Sequence, residues 1–277
     1  MNLFQAAILG AVEGLTEFLP VSSTGHLILA AHAMGLVGGV MNAFEIVIQA
    51  GALLAVLWLY RARVLEVLRG VAHLHSPGGR LLLGLLVAFL PAAVAGLLFH
   101  HRIEEHLFGP LPVAIALFLG GVVMVIFERR RRGRGIAPRY DAVDSIPVRV
   151  AFLIGLFQCA SLWPGTSRSM VTILAGLLLG CSAVAAAEFS FLLALPTLGA
   201  ATLYDFLKHR QELLTGASVG LGPTLVGLVV AAVVAVIAIR SFVRYLTRHG
   251  LEAFGWYRIA LALVIVAFLW HHVVGAR

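Results

Sequence analysis

The sequence predicts an all-α membrane protein that crosses the bilayer several times. Hydrophobic residues make up 61% of its 277 residues and charged residues only 12%, whereas soluble domains contain about 45 to 50% apolar and about 25% charged residues. Apolar stretches close to the roughly 20 residues that a helix needs to cross a bilayer recur along the chain. These two observations exclude a soluble enzyme, a disordered regulator and a secreted disulfide-rich domain.

Six stretches are predicted to be membrane-spanning helices, allowing for tilt and for some shorter runs. They are residues 43–60, 81–99, 111–127, 183–204, 224–239 and 254–270. Among the polar residues inside them, Glu45, Gln49 and Glu188 are expected to hydrogen-bond across helices or to line a cavity.

Two further apolar regions, 3–36 and 152–180, are interrupted in the middle by proline and hydroxyl residues. The first interruption reads Leu-Pro-Val-Ser-Ser-Thr-Gly-His from residue 19, and the second reads Trp-Pro-Gly-Thr-Ser-Arg-Ser from residue 163. Such breaks leave backbone groups unpaired, which lipid tolerates only where the segment is buried in protein or lines a wet cavity. Each region is therefore predicted to be a re-entrant helix pair whose tip lies inside the membrane.

The two interruptions also indicate an internal repeat, because adding 144 to Pro20 gives Pro164 and adding it to Ser23 gives Ser167. Each half then contains one re-entrant pair and three spans, and since three is odd the second half is inverted in the membrane. The predicted organisation is a first repeat (1–127), a basic cytoplasmic linker (128–149) and a second, inverted repeat (150–277), all within one membrane domain. Inverted repeats with broken helices place their working site near the midplane.

The basic residues indicate topology rather than nucleic-acid binding. The loops 61–80, 129–149 and 240–248 contain 14 of the 20 Lys and Arg residues, and cytoplasmic loops are the ones enriched in these residues. Both termini are therefore predicted outside, with the first re-entrant pair entering from outside and the second from inside. The arginine run at 129–134 directly follows an apolar segment, which favours anchoring at lipid headgroups. No nucleic-acid partner is expected.

An acidic pair lies on the first re-entrant segment. Glu13 and Glu17 are four residues apart and share a helix face, and each ionisable group in a membrane costs about 2.5 to 3.5 kcal/mol. Two like charges there repel unless a cation intervenes, and carboxylate oxygens suit Mg²⁺ or Ca²⁺. We therefore predict a divalent-cation site at this pair. The alternative is that one carboxyl is protonated and serves as a structural hydrogen-bonding group.

Further candidate residues lie at the two tips. Arg168 has few structural partners in an apolar region, and its guanidinium matches phosphate oxygens; a salt bridge to Glu13 or Glu17 is compatible with that role. His26 is a candidate acid or base, and either Ser23 or a metal-activated water is the attacking group. Helix N-termini bind anions, although helix capping alone explains most hydroxyl groups at such positions. The candidate substrate-binding residues are Ser22, Thr24, Gly165, Thr166, Ser167 and Ser169.

Residues 13–26 and 164–169 closely resemble the two motifs of the undecaprenyl-diphosphate phosphatase family associated with bacitracin resistance, and residues 187–194 agree as well. The resemblance covers nearly the whole chain. It implies a bacterial inner-membrane enzyme that removes the terminal phosphate from a C55 polyprenyl diphosphate and so recycles the lipid carrier of cell-wall synthesis. One departure is Met170, where the second motif of the family usually has glycine.

Carried over by motif, the resemblance implies that Glu13 and Glu17 are the acidic pair of the family, that Ser23 and His26 are its reactive residues, and that Arg168 is the arginine of its second motif. The implied partners are a polyprenyl diphosphate lipid and membrane lipids, with the site open to the periplasmic side. The sequence does not determine the oligomeric state, and it is compatible with a homodimer. Because broken helices and inverted repeats also build secondary transporters, a transporter or flippase of polyprenyl phosphate lipids is the alternative.

Overall fold

The computed structural model describes residues 1–36, 39–133, 137–215 and 219–274, and these residues form eleven α-helices, two 3₁₀ turns and no β-strand. The helices are α1 (Leu3–Thr16), α2 (Ser23–Ala33), α3 (Gly39–Leu59), α4 (Arg61–Gly70), α5 (Pro77–Leu107), α6 (Pro110–Arg132), α7 (Val148–Gln158), α8 (Arg168–Leu178), α9 (Ala183–Thr215), α10 (Leu221–His249) and α11 (Glu252–Val274). The prediction of an all-α polytopic membrane protein is confirmed.

Five helices of the described chain, α5, α6, α9, α10 and α11, are long and apolar enough to cross a membrane. The sixth predicted span corresponds to α3, which bends by 82° into α4 and qualifies only if the two are taken as one span. The sequence treats this last segment as loop, but Val64 and Val67 pack against the core while Arg61 and Arg69 stay exposed. Such a one-sided apolar pattern stabilises a short helix through packing rather than through length.

The two interrupted regions break where the sequence predicts. α1 ends at Thr16 and α2 begins at Ser23, while α7 ends at Gln158 and α8 begins at Arg168. These four helices have 11 to 14 residues, too few to cross about 30 Å of hydrocarbon alone. That each pair enters and leaves the membrane on the same side stays a prediction.

The backbone at the two breaks has the same unusual conformation. Ser22 (φ 69°, ψ 101°) and Ser167 (φ 71°, ψ 113°) directly precede α2 and α8, and within the described ranges no other residue except glycine has a positive φ. The counterpart of Ser167 is therefore Ser22, not the Ser23 that the 144-residue offset indicates, because the second break has one more residue between its proline and its helix. Such strain costs about 1 to 3 kcal/mol and clusters at functional sites.

The predicted halves interlock through small residues. α1 packs on α10, where a Cβ added to Gly10 would lie 2.5 Å from the carbonyl oxygen of Gly227. α6 packs on α11 in the same way, where a Cβ on Gly121 would lie 2.7 Å from the carbonyl oxygen of Gly255. Close backbone approach is how helices associate in lipid, where apolar side chains gain little by leaving the tails. Each half therefore completes the packing of the other.

Replacing Gly10 by Ala is expected to lower the thermal stability of the protein in detergent, because the new methyl group meets a backbone carbonyl that has no room to move. Overpacking of this kind costs about 1 to 3 kcal/mol. The matched control is Gly199→Ala in α9, where an added Cβ meets no atom within 4 Å. If both variants melt at the temperature of the unchanged protein, the close contact between α1 and α10 is absent in solution.

Two polar residues inside the predicted spans bond across helices, as expected. Thr202 of α9 donates to Gln49 Oε1 of α3 at 2.9 Å, and Arg63 of α4 donates to Glu188 Oε1 of α9 at 3.3 Å. The Arg63 guanidinium also pairs with Asp144 at 2.8 Å. These contacts tie the middle of α3 and the start of α4 to α9, which is the helix that supports the second tip.

Candidate active site

Three predicted site residues from the two breaks meet at one point. Glu17 directly follows α1, Ser23 is the first residue of α2, and Arg168 is the first residue of α8. Ser23 Oγ donates to Glu17 Oε2 at 2.6 Å, and Arg168 Nη2 donates to Glu17 Oε1 at 3.2 Å. The structure thus brings together Glu17 and Arg168, which are 151 residues apart in the chain and both buried. That this contact lies in the middle of the membrane stays a prediction.

Arg168 is held on three sides. Its Nη1 donates to the carbonyl oxygen of Ser190 at 2.8 Å, and its guanidinium lies 5.7 Å from the ring centre of Phe18. The Ser190 hydroxyl is in turn 2.7 Å from Thr172 Oγ1. The Nε–H of Arg168 is buried and has no hydrogen-bond partner in the described part of the chain. A buried donor without a partner is costly, so an oxygen of a bound anion would stabilise this side chain.

Glu13 lies one helical turn before Glu17 and is only 2% exposed. Its Oε2 atom is buried and has no hydrogen-bond partner among the described residues. Both oxygens of Glu17 are already used, one by Ser23 and one by Arg168. Within the predicted acidic pair, Glu13 therefore has the oxygen atom that is available to bind a cation or a proton. The described residues contain no group of three His, Cys, Asp or Glu side chains arranged to hold a metal ion.

His26 is fixed by two hydrogen bonds, neither of which involves Ser23. Its Nδ1 lies 2.8 Å from the carbonyl oxygen of Ser22, and its Nε2 lies 2.6 Å from the hydroxyl of Tyr257. A carbonyl only accepts hydrogen bonds, so Nδ1 carries a proton, and in the neutral form of the ring Nε2 then accepts the Tyr257 O–H. The base that contacts Ser23 in this structure is thus Glu17. Sequence reasoning missed Tyr257, because an aromatic residue in an apolar helix has no distinguishing local pattern.

Arg258 of α11 joins the two tips and was also missed. Its side chain is 0% exposed, and its guanidinium donates to the carbonyl oxygens of Pro20 at 3.4 Å, Gly165 at 2.9 Å and Ala116 at 3.2 Å. An arginine inside an apolar stretch is itself a signal, since burying it is expensive unless it has partners. Two of its partners, Pro20 and Gly165, are backbone carbonyls at the two breaks, and the third, Ala116, lies within α6, so Arg258 ties both breaks to this helix.

The remaining predicted tip residues divide into three groups. Ser169 Oγ donates to the carbonyl oxygen of Leu19 at 2.9 Å and so bonds one tip to the other, while Ser167 Oγ caps α8 by accepting from the Met170 N–H at 3.3 Å. Ser22 and Gly165 contribute backbone carbonyls, to His26 and Arg258. Thr24 and Thr166 make no side-chain hydrogen bond within the described ranges. Substrate binding by these six residues stays a prediction.

Met170, which departs from the family motif, lies on a different face of α8 from Arg168. Its side chain is buried and packs against Gly120 of α6, where an added Cβ would be 3.0 Å from Met170 Cε. It also lines an apolar cavity between α5, α6 and α8. Met170 therefore takes part in helix packing behind the tip, on a face of α8 other than that of Arg168.

Comparisons of the sequence with known proteins give matches over nearly the whole chain. A family model described as bacitracin resistance protein BacA matches residues 6–264. A protein of Sorangium cellulosum named undecaprenyl-diphosphatase is 53% identical over 268 residues, which cover 96% of this chain and 86% of that protein. Undecaprenyl-diphosphatase 1 of Chromobacterium violaceum is 45% identical over 275 residues, covering 98% of each chain. A third, from Nitrosomonas eutropha, is 49% identical over 264 residues, covering 95% of this chain and 93% of its own.

Proposed function

Since the chain belongs to the bacitracin resistance protein BacA family, we propose that it hydrolyses undecaprenyl diphosphate to undecaprenyl phosphate and inorganic phosphate. The activity is that of a polyprenyl-diphosphate phosphatase, which recycles the lipid carrier for cell-wall synthesis. The observation that carries the proposal is the contact of Glu17 with both Ser23 and Arg168, because it joins a carboxylate, a hydroxyl and a guanidinium in one buried cluster.

The diphosphate binds between the two tips. Arg168 offers its unpartnered Nε–H to a phosphate oxygen, and the free backbone N–H groups at the starts of α2 and α8 attract the anion. The tip residues Ser22, Thr24, Gly165, Thr166, Ser167 and Ser169 surround it. A fixed guanidinium and helix N-termini stabilise charge on a transferring phosphoryl group without needing to reorganise.

Ser23 attacks the terminal phosphorus, and Glu17 accepts the hydroxyl proton along the hydrogen bond of 2.6 Å. The bond between Ser23 Oγ and phosphorus forms as the bridging P–O bond breaks, and undecaprenyl phosphate leaves. Phosphate oxygens also compete with Glu17 for Arg168, which makes the carboxylate a better proton acceptor once substrate is bound.

Water then attacks the phosphoserine, the bond between Ser23 Oγ and phosphorus breaks, and inorganic phosphate leaves. Glu17, which took the Ser23 proton in the first step, returns it to Ser23 Oγ as the bond to phosphorus breaks, and His26 accepts the proton of the attacking water. Tyr257 fixes the ring of His26 through its hydroxyl. Direct attack by water on the diphosphate is the competing route to the same products, and it leaves no phosphate on the protein.

A divalent cation, Mg²⁺ or Ca²⁺, is part of the proposal. The unpartnered oxygen of Glu13 is of the right chemical type for such an ion, and Mg²⁺ in particular is often held by one or two carboxylates together with substrate phosphates. Glu13 would hold the ion, with Glu17 beside it. When bound, the ion supplies neutralising charge to the diphosphate.

We further propose that the protein is a multi-pass protein of the bacterial inner membrane and that its site opens to the periplasmic side. The interlocking of α1 with α10 and of α6 with α11 supports two repeats, 1–127 and 150–277, joined by the basic linker 128–149. The proposed partners are the polyprenyl diphosphate and the surrounding membrane lipids, and no nucleic-acid partner is proposed. The proposal does not fix the oligomeric state, and a homodimer is compatible with it. The family and its named relatives support hydrolysis, and no observation favours the transporter or flippase alternative.

The test is phosphate release by the purified protein in detergent, where transport across a bilayer has no meaning. With undecaprenyl diphosphate and Mg²⁺ or Ca²⁺ we expect steady release of inorganic phosphate, and chelation of the cation is expected to reduce the rate at least tenfold. Readdition of the cation restores it. Full activity in the presence of chelator would contradict the proposed requirement for a cation. Absence of phosphate release under all of these conditions would contradict the proposed hydrolase activity.

A further inference from the structure

A cavity of about 570 Å³ lies at the end of α6 that carries Arg129–Arg132, away from the cluster of Glu17, Ser23 and Arg168. Its apolar wall comes from α6 and α8, and Arg130 and Arg131 lie at its rim. We call it the arginine-rim cavity. An apolar wall below a cationic rim suits a molecule with an apolar tail and an anionic head.

The floor of the arginine-rim cavity is ordered backbone. Residues 139 and 140 are bonded to the turn between α8 and α9: Arg139 N donates to Gly180 O at 2.8 Å, and Ser182 N donates to Tyr140 O at 2.8 Å. Ser182 Oγ adds a bond to the carbonyl oxygen of Asp141 at 3.0 Å. This part of the floor is therefore fixed by hydrogen bonds of residues 139–141 to the turn between α8 and α9.

The four arginines at this end of α6 differ in how their charge is balanced. Arg131 pairs with Glu128 at 2.9 Å, and Arg129 and Arg132 pair with Glu252 at 2.9 and 3.3 Å. Arg130 is exposed and, in the part of the chain that the structure describes, has neither a hydrogen bond nor an ion pair. Its uncompensated charge lies at the rim, where it would attract an anion.

A second cavity of about 670 Å³ adjoins the first, and the two share Val123, Leu174 and Leu178 as lining residues. This second cavity is almost wholly apolar and extends along α8 to Met170 behind the second tip. Leu178 and Val123 are about half exposed, so in a membrane these side chains face lipid. The two cavities therefore lie side by side along α6 and α8, and we treat them together as one apolar groove whose outer end carries Arg130.

We propose that this groove binds a membrane phospholipid with an anionic headgroup, taken from the leaflet that faces the arginine-rich end of α6. The phosphate lies at Arg130, and an acyl chain runs past Val123 and Leu178 toward Met170. The headgroup end of this site goes beyond the hydrolytic function, because none of the residues that line the arginine-rim cavity is a candidate catalytic or substrate-binding residue. The second cavity, in contrast, reaches Thr166 at the second tip.

Photo-crosslinking in lipid nanodiscs tests the proposal. The full-length protein is placed in phosphatidylcholine discs with a trace of phosphatidylglycerol whose acyl chain carries a diazirine, and crosslinked peptides are mapped after illumination. We expect crosslinks concentrated on α6 and α8 around Val123, Leu174 and Leu178. The same acyl probe on phosphatidylcholine is expected to label these residues several-fold less, because the attraction to Arg130 requires net negative charge.

Arg130→Gln is expected to reduce phosphatidylglycerol crosslinking about five-fold. This factor corresponds to the attraction between one arginine and an anionic membrane surface. The matched control is Arg248→Gln, since Arg248 is an exposed arginine at the end of α10 on the same side and does not line the cavity. Val123→Trp, which fills the place where the two cavity linings meet and keeps both rim arginines, should also reduce phosphatidylglycerol labelling of Leu174 and Leu178. Equal labelling by the two lipids, or unchanged labelling of Arg130→Gln, overturns the proposal.

Discussion

Glu17→Gln is expected to lower the rate of phosphate release about 10³-fold. The carboxylate accepts the hydrogen bond of Ser23 at 2.6 Å and that of Arg168 at 3.2 Å, so the amide removes the proton acceptor and the countercharge together. Proton transfer by a positioned group contributes about 10²- to 10⁴-fold to rates. Loss of the buried countercharge adds a stability cost of about 3 to 5 kcal/mol, so the rate is measured on protein that elutes as a folded species in detergent.

Ser23→Ala separates the chemical effect from the structural one, because it removes the hydroxyl and keeps the ion pair between Glu17 and Arg168. We expect it to fold normally and to lose activity to the same extent as Glu17→Gln. Acid quenching during turnover of substrate labelled in its terminal phosphate should trap label on the unchanged protein and none on Ser23→Ala. An active enzyme that never carries label would show that water attacks directly. Glu188→Gln, which removes a carboxylate paired with Arg63 elsewhere, is the control and should retain activity.

Arg168→Lys is expected to reduce kcat/KM about 10²- to 10³-fold although the positive charge is kept. Lysine has no counterpart to the Nε–H that is buried without a partner, and a single ammonium group cannot bond Ser190 O, Glu17 and a phosphate in the geometry of a planar guanidinium. Loss of one such stabilising donor costs about 10²- to 10³-fold in an active site.

The control for this variant is Arg240→Lys, since Arg240 is exposed and stacks on Trp58 away from the tips. It should hydrolyse substrate at the unchanged rate. If a folded Arg168→Lys protein reaches the same kcat/KM, recognition of phosphate by the guanidinium is refuted, and Arg168 is then only the buried partner of Glu17.

Much of the site was accessible from the sequence, because its residues lie in two local patterns. Proline followed by hydroxyl residues inside an apolar region predicts a break, and a break inside a membrane demands a buried or wet environment. Glu13, Glu17 and Arg168 are conspicuous for the same energetic reason. Arg258 falls under this argument too, but its partners are backbone carbonyls of three distant segments, and no spacing along the chain predicts such contacts.

The sequence alone determined the class of the protein, the approximate positions of its membrane helices and the two breaks, since each depends on which residues are apolar over a short stretch. The tertiary structure decided which groups touch: Ser23 bonds Glu17 rather than His26, Tyr257 fixes His26, and Arg258 bridges both tips. It also decided that α3 bends into α4 and that Ser22 matches Ser167. The physical reason is range: hydrophobic periodicity reports on neighbours a few residues apart, while these hydrogen bonds join helices whose approach depends on the packing of the whole bundle.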